Sequence, residues 1–515
     1  MDTSAPIATN TPAPDALPQD VAACHAMILE LIESLKKAGR ANEQLQARIQ
    51  QLLQRLFGPR AEKIDPSQLV LFGQEIAQAA QPQTPPDEPE APAAPKKKGH
   101  GRKRIPKEIP RIRIEHTVPP EQCVCEECGR QKDKIGEEVT EQLDYTPASF
   151  TVYEHVQPIL ACRCCQEHVV TAPKPPQPIE KGLPGPGLMA QIITAKYCDH
   201  IPLYRQESIY ARHGVELART TMCGWVMSGA ELVVPVVDAM IARVVQSKVI
   251  HTDDTPVRVQ GDEAGAYTGR FWVYIGDGNN PFTVYDYTPS RKRDGPMAFL
   301  KDFGKDPAVP SFLQADAFGG YDGIYAASSI LEVACMAHGR RKFYDARGTD
   351  PIRAHQVLGW IRQLYAIETQ AKDLDAAERA AMRQEQAGPI LDIWYKWMVD
   401  QLPLVLPKSP IGQAIQYALN QWTALNRYLQ DGDLDIDNNP AERALRGIAI
   451  GRKNWLFLGN DRGGHAAARF YSLIMSAKQN GLEPFAYLRD LFLRIPGHPN
   501  KQLADLLPDR WKPNA

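Results

Sequence analysis

Residues 435–459, DIDNNPAERALRGIAIGRKNWLFLG, decide the fold, because they predict a helix that carries one acid among several cations. Asn438 or Asn439 can cap this helix, and Pro440 suits its first position. Glu442 falls in the first turn, where the helix dipole favours an anion. The segment therefore presents a carboxylate at the start of a largely apolar helix.

Basic residues accompany that carboxylate. Arg446 lies one turn after Glu442, and Arg452 and Lys453 follow the predicted helix. Cations in this arrangement suit the phosphates of a DNA backbone. The alternative is that they serve only as ion partners for Glu442 and its neighbours.

Upstream, the hydrophobic period changes to that of β-strands. Residues 248–259, 269–277 and 281–287 predict three successive strands, residues 295–303 a helix, and residues 311–318 a fourth strand. The predicted order is β-β-β-α-β.

Two acids belong to these strands. Asp253 lies in the first strand and Asp316 at the end of the fourth, so their carboxylates lie side by side if those strands are neighbours. Adjacent carboxylates repel each other unless a cation lies between them. If the helix of residues 435–459 packs on the sheet, Glu442 adds a third carboxylate. Such a set suits two catalytic Mg²⁺ ions, with Mn²⁺ as an alternative.

Other residues near these strands have simpler interpretations. Asp254 is expected to point to the opposite face from Asp253. Asp322 and Asp437 are expected at helix starts, and Cys335 in a strand of the core. Further candidate DNA contacts follow that strand, although a solvated helix start would have the same composition: His338, Arg340, Arg341 and Lys342.

The stretch from Leu188 to Val245 predicts helices. Within it, residues 205–226 have the outline of a helix-turn-helix, with Gly214 in the turn and Thr220 or Thr221 capping the second helix. Both DNA recognition and a simple packing role are compatible with this pattern.

Two C-x-x-C pairs flank a strand-like segment and predict a structural Zn²⁺ site with four thiolate ligands: Cys125, Cys128, Cys162 and Cys165. Cys123 and Cys164 are close enough in sequence to replace members of either pair. The alternative is a set of free buried thiols.

The overall net charge of −2 conceals a basic arm. Between Lys96 and Arg113 there are nine Lys or Arg residues against one acid, a local balance of 9 − 1 = +8. Glycines and prolines in this arm disfavour a helix, and the charge suits a polyanion. The leading candidate DNA contacts are Lys96, Lys97, Lys98, Arg102, Lys103 and Arg104. A solvated linker or a localisation patch is the alternative.

The N-terminal region carries a heptad repeat. The a positions are Ile28, Leu35, Asn42, Ile49 and Leu56, and the d positions are Leu31, Ala38, Leu45 and Leu52. This repeat predicts a dimerising coiled coil, whereas an amphipathic helix packed on its own chain is the alternative. No run of 18 apolar residues and no signal-like N-terminus are present, so the sequence predicts a cytoplasmic protein without a membrane partner.

Several blocks of the chain resemble the insertion sequence 66 family of bacterial DDE transposases. They are LFGPRAEKIDPSQLVLF (56–72), VIHTDDTPVRV (249–259), LQADAFGGYDGIY (313–325), ACMAHGRRKF (334–343), DNNPAERALRGIAIGRKNWLF (437–457) and YSLIMSAKQNGLEPFAYL (471–488). The resemblance implies a ribonuclease H-like catalytic domain whose triad is Asp253, Asp316 and Glu442. It also implies that residues 350–430 are a helical insertion.

The predicted fold class is multidomain α+β: an N-terminal coiled coil, a zinc-binding module, a helical DNA-binding region and a ribonuclease H-like α/β domain with an all-α insertion. The predicted segments are a tail (1–22), coiled coil (23–57), linker with basic arm (58–120), zinc module (121–175), helix-turn-helix-like region (185–246), catalytic domain (247–349 and 431–492), insertion (350–430) and C-terminal tail (493–515).

The predicted function is a transposase that binds terminal inverted repeats and catalyses Mg²⁺-dependent strand cleavage and strand transfer. Expected partners are transposon-end and target DNA, a second copy of the chain, and accessory proteins of the same element, on the bacterial nucleoid. Two other functions fit less of the sequence: a zinc-containing DNA-binding regulator, and a ribonuclease H-like nuclease that cuts but never joins.

Overall fold

The computed structural model describes residues 182–513 except 262–264, 307–309, 317 and 328. It also describes residues 150–153, 159–160, 170–171, 176–180 and a set of positions between 20 and 45. The basic arm and the cysteines of the predicted zinc module lie outside the described residues.

The N-terminal repeat is helical wherever it is described, which includes residues 25–35 and position 45. Its described seam residues Ile28, Leu31, Leu35 and Leu45 are each more than half exposed. The other seam positions, from Ala38 to Leu56, lie outside the described residues.

A short antiparallel pair of strands, β1 (Ile159–Leu160) and β2 (Val170–Thr171), follows in the chain. Cys162 and Cys165 lie between these strands in sequence. Strand β1 confirms the predicted strand character at one described point before the second C-x-x-C pair, whereas β2 lies after that pair.

Between residue 182 and the main sheet the chain forms four helices: α1 (Pro186–Tyr197), α2 (Leu203–Arg212), α3 (Arg219–Leu232) and α4 (Val234–Val244). The helical prediction for this stretch is confirmed, and Gly214 has the positive φ of 79° that the turn requires. The predicted threonine cap is wrong. Thr220 and Thr221 lie inside α3, and the Glu207 carboxylate accepts the backbone N–H of Arg219 at 3.2 Å instead.

The main sheet has five strands: β3 (Val249–Val259), β4 (Tyr267–Ile275), β5 (Thr283–Thr288), β6 (Ser311–Ala315) and β7 (Ile330–Ala334). Their spatial order is β5-β4-β3-β6-β7. The first three strands pair antiparallel, and β6 and β7 continue parallel to β3. Helix α5 (Asp294–Phe299) lies between β5 and β6 in the chain, so the predicted β-β-β-α-β order is confirmed.

Two short helices flank β7: α6 (Asp322–Ala327) before it and α7 (Met336–Ala346) after it. Asp322 is the first residue of α6, as predicted. Cys335 is buried but follows β7 rather than lying in it.

Residues 351–429 are mostly helical and, together with residues of the sheet and of α7, build a second core. The helices are α8 (Pro351–Gln370), α9 (Ala376–Met382), α10 (Gly388–Gln401), α11 (Pro410–Asn420) and α12 (Trp422–Asn426), with a π-helical turn at Arg383–Ala387. Arg383 is 1% exposed, pairs with Glu368 at 2.6 Å and donates to the Tyr428 and Asp431 carbonyls. This buried cation ties the helical region to the segment that leads back to the sheet.

Three helices complete the fold: α13 (Asn439–Trp455), α14 (Asp461–Gln479) and α15 (Pro484–Arg494). Helix α13 packs on β3 and β4, and α14 packs on the edge strand β5. Ser472 and Ser476 of α14 accept the backbone N–H groups of Tyr285 and Thr283 at 2.8 and 2.9 Å. These bonds satisfy donors that an edge strand would otherwise leave open.

Candidate active site

Asp253 and Asp316 lie where β3 and β6 end their pairing. The parallel register joins Ile250 to Leu313 and His251 to Gln314. Continuing that register by two residues puts Asp253 opposite Asp316, since 251 + 2 = 253 and 314 + 2 = 316. Because β6 ends at Ala315, Asp316 is the first residue beyond the carboxyl end of the strand.

The pKa values of both carboxyl groups are raised. Burial raises the pKa of Asp253 to about 7, with smaller contributions from the charges of Asp316, Asp254 and Glu442, whereas the N–H of Asp254 opposes the shift. Burial also raises the pKa of Asp316, against the opposing effects of His338 and Arg291. A cation bound between these carboxylates would stabilise their ionised forms.

Glu442 lies in the first turn of α13, and buried hydrogen bonds hold that end of the helix on the sheet. Asn438 is fully buried; its amide donates to the Thr252 carbonyl at 2.8 Å and its oxygen lies 3.1 Å from Nδ1 of His251. Gln314 of β6 donates to the carbonyls of Asp435 and Asp437 at 2.6 and 2.9 Å. Hydrogen bonds therefore hold residues 435–438, which lead into α13, against both β3 and β6.

These contacts correct the predicted helix start. Asn438 occupies the cap position, but its side chain binds the sheet and makes no cap hydrogen bond. The Asp437 carboxylate instead accepts the Asn439 N–H at 3.0 Å, so Asp437 lies two residues before the helix that it was predicted to start. Pro440 is the second helical residue rather than the first.

Asp254 forms ion pairs with two arginines. Its side chain is 2% exposed and lies 2.8 Å from Arg270 and 2.7 Å from Arg291. Arg291 also lies 3.7 Å from Asp316 and stacks on Phe318. Sequence reasoning missed Arg291, whose only signal was a basic cluster just after β5.

Among the DNA contacts predicted on α13, some side chains are exposed and one is hydrogen-bonded within the protein. Arg446 and Lys453 are exposed on α13. Arg452 donates to the Thr255 hydroxyl at 2.8 Å and the Pro256 carbonyl at 2.5 Å, so it fastens the helix to β3. The expectation that Arg452 and Lys453 follow the helix is wrong, because both lie in its last turn.

Helix α7 brings further groups to this edge of the sheet. His338 lies 3.9 Å from Glu442, and burial raises the pKa of Cys335 to about 12. Among the candidate DNA contacts of this helix, Arg341 is exposed, Arg340 lies over the Tyr344 ring and Lys342 over the Tyr417 ring.

The donor set fits a hard divalent cation. Asp253, Asp316 and Glu442 offer oxygen ligands, which Mg²⁺ and Mn²⁺ prefer. The raised pKa of Asp253 reflects burial first and then the proximity of like charges, and a bound cation offsets both penalties on the ionised carboxylate.

Fold and site together define a mixed α+β protein with a carboxylate cluster where the parallel strands β3 and β6 end their pairing. Residues 181–466, which contain all three acids, match the model described as "Transposase IS66 family". Three further models match: "zinc-finger binding domain of transposase IS66" (122–166), "IS66 C-terminal element" (472–508) and "Transposase C of IS166 homeodomain" (44–114). The chain belongs to the IS66 family of transposases.

Relatives of similar length occur in Sinorhizobium fredii (strain NBRC 101917 / NGR234). The uncharacterized protein y4hP is 33% identical over 437 residues, 80% of this chain and 77% of its own length. The uncharacterized protein y4jD is 29% identical over 514 residues, 97% of this chain and 98% of its own length. The uncharacterized protein y4qI is 34% identical over 422 residues, 78% of this chain and 76% of its own length.

The family matches bear on the sequence predictions. The zinc-finger match contains both C-x-x-C pairs as well as Cys123 and Cys164, and it supports zinc binding by this region. Among the described residues, no single helix is long and apolar enough to span a membrane; α3 and α4 pass that test only as a pair bent by 50°.

Proposed function

We propose that this protein is a DNA transposase of a bacterial insertion sequence that cleaves transposon ends and joins them to target DNA. The register that aligns Asp253 with Asp316, under the first turn of α13, carries this proposal. The strand order β5-β4-β3-β6-β7, with three antiparallel strands followed by two parallel ones, supports a ribonuclease H-like domain. Residues 351–429 are then its helical insertion.

Each acid has a separate structural support. Asp253 is held by β3, Asp316 by the end of β6, and Glu442 by the anchored start of α13. These three residues would hold the Mg²⁺ ions, with Mn²⁺ as a substitute. When bound, the cations supply Lewis acidity that activates the attacking hydroxyl and stabilises the departing 3′ oxygen.

Nearby cations position the DNA. Arg291 partly neutralises Asp316 and has 38% of its side chain exposed, so it can reach a phosphate next to the acids. Arg446 and Lys453 extend a basic face along α13. Phosphate contacts of this kind supply affinity and fix the register of the DNA, but they do not read its sequence.

Recognition of terminal inverted repeats is assigned to the segments before the sheet. The basic arm (Lys96–Arg113), the zinc module and helices α2 and α3 are the candidate elements, with the N-terminal helix pairing two chains so that two ends are held together. In this proposal the protein acts on the nucleoid of the bacterial cytoplasm, with accessory proteins of the element as further candidate partners.

The test is cleavage and joining of a labelled transposon-end duplex in Mg²⁺, comparing wild type with Asp253→Asn, Asp316→Asn and Glu442→Gln. Asp322→Asn is the matched control, because this exposed acid lies only six residues after Asp316. We expect each triad variant to bind the duplex but to lose at least about a thousandfold in cleavage rate, a loss of roughly 4 kcal/mol in transition-state stabilisation.

The control should retain the wild-type rate. Full activity in any triad variant would remove that residue from the proposed site. Binding without cleavage by the wild type, with and without accessory proteins, would favour the regulator, and cleavage without joining would favour the nuclease.

A further inference from the structure

Three unlike ligand atoms converge beside the acidic cluster. The Sγ of Cys335, a ring nitrogen of His338 and a carboxylate oxygen of Glu442 all lie within 4.8 Å of one another. We propose that these residues form a second cation site, selective for Zn²⁺ or a similar thiophilic ion, and we name it the Cys-His-Glu site. It shares Glu442 with the acidic cluster.

The backbone assembles this site from two helix starts. Cys335 immediately precedes α7 and His338 lies in its first turn, so the three-residue spacing puts both side chains on one side of the helix. Glu442 comes from the first turn of α13. The Asn438 N–H donates to Cys335 Sγ at 3.2 Å, which links the two helix starts.

The ligand atoms are suited to coordination. Cys335 is 1% exposed, and the backbone N–H that it accepts would stabilise a metal-bound thiolate. The Nε2 atom of His338 lies 3.9 Å from Glu442 Oε1. The Nδ1 atom of His338 is buried and has no hydrogen-bond partner within the described part of the chain. The His338 and Glu442 side chains are 37% and 43% exposed, so an ion can enter from solvent.

Ligand chemistry selects the ion. Thiolate and imidazole favour Zn²⁺ over Mg²⁺, and three protein ligands leave a fourth position for water or a phosphate oxygen. Ligand atoms around tetrahedral Zn²⁺ are roughly 3.3–3.8 Å apart, given bonds of about 2.0–2.3 Å. Small movements of the two half-exposed side chains therefore close the site, and coordination releases the thiol proton of Cys335.

One consequence rests on the proposed transposase function. An ion held by Cys335 and His338 draws Glu442 away from the Mg²⁺ ligand set. Zn²⁺ should therefore inhibit Mg²⁺-dependent strand cleavage, and Cys335→Ser should weaken that inhibition at least about tenfold.

The site itself is tested without DNA. The full-length protein is first loaded with one equivalent of Zn²⁺, which the thiolate-rich module between residues 122 and 166 should retain against Co²⁺. Co²⁺ is then titrated while thiolate-to-cobalt charge-transfer absorbance is followed. The variants are Cys335→Ser, His338→Ala and Glu442→Gln, and Cys223→Ser is the control because Cys223 is an exposed free thiol on α3.

We expect one further equivalent of Co²⁺ to give a thiolate band in wild type and in Cys223→Ser. The band should be lost in Cys335→Ser, and binding should weaken at least about tenfold in His338→Ala and Glu442→Gln. If circular dichroism shows that Cys335→Ser does not fold, the His338→Ala and Glu442→Gln variants decide the result. No additional band in wild type, or unchanged binding in His338→Ala and Glu442→Gln, overturns the Cys-His-Glu site whether or not the protein cleaves DNA.

Discussion

Asp253 is an acid whose burial should make the stability of the protein depend on pH. Its pKa in the folded chain is about 7, against 3.8 for the unperturbed group. Between these values the unfolded chain has released a proton that the folded chain still holds. Without divalent cations, the free energy of unfolding should therefore fall as pH rises from about 4 to about 7 and then stay level.

Removing this charge should stabilise the cation-free protein. At pH 8 we expect Asp253→Asn to raise the free energy of unfolding by about 2–4 kcal/mol, because the variant avoids an ionised carboxylate in a buried, negative environment. Chemical denaturation at pH 4 and pH 8 measures this difference, which should be small at pH 4. Equal stabilities at pH 8, or a gain that Asp322→Asn reproduces, would contradict it.

The residues of the candidate site could be predicted from the sequence only in part. The identities of Asp253, Asp316 and Glu442 follow from local patterns and family resemblance. Arg291 and the proximity of His338 to Glu442 were not predicted, because both depend on contacts between segments distant in sequence. The role of Asn438 was misjudged for the same reason: its sequence position suggests a cap, whereas the buried sheet beside it offers stronger partners.

At the scale of elements, the placement of α13 depends on Asn438. Asn438→Ala should lower the free energy of unfolding by about 2–3 kcal/mol, because the Thr252 carbonyl and a nitrogen of His251 lose their buried partner. Asn454→Ala near the other end of α13 is the control, with an expected change within about 0.5 kcal/mol.

Denaturant unfolding measures both variants, and strand cleavage tests whether Glu442 is displaced. We expect Asn438→Ala to lose cleavage activity at temperatures where it remains folded. Similar stabilities for the two variants, or full cleavage by folded Asn438→Ala, would show that the buried amide does not position the helix.

Element order was well predicted, and element ends were not. Alternation of apolar residues identified β3 to β6, because this pattern reflects which face is buried, and the Asn-Asn-Pro sequence identified the region where α13 starts. The Thr220 and Thr221 cap and the position of Arg452 were wrong, since helix ends depend on partners such as Glu207 and the Thr255 hydroxyl.

At the scale of the whole molecule, the exposed apolar seam of the N-terminal helix predicts self-association. Leu31→Lys with Leu35→Lys should convert a dimer or larger assembly to monomers, because two like charges in a heptad seam oppose pairing. Leu29→Lys is the control, since Leu29 is also exposed but lies off the seam. Light scattering after gel filtration measures the mass.

The α/β region should keep its melting temperature in both proteins, because it has its own core. A wild-type monomer, or seam and control variants with the same mass, would contradict the coiled coil. Loss of joining with retained cleavage in the seam variant would agree with a need to hold two DNA ends.

Calorimetric titration with Mn²⁺ tests most directly whether Asp253, Asp316 and Glu442 form one cation site. Wild type and Asp322→Asn should bind Mn²⁺ with the same affinity, and Asp253→Asn, Asp316→Asn and Glu442→Gln should each bind at least about tenfold more weakly. Equal affinities in all five proteins would contradict a shared site.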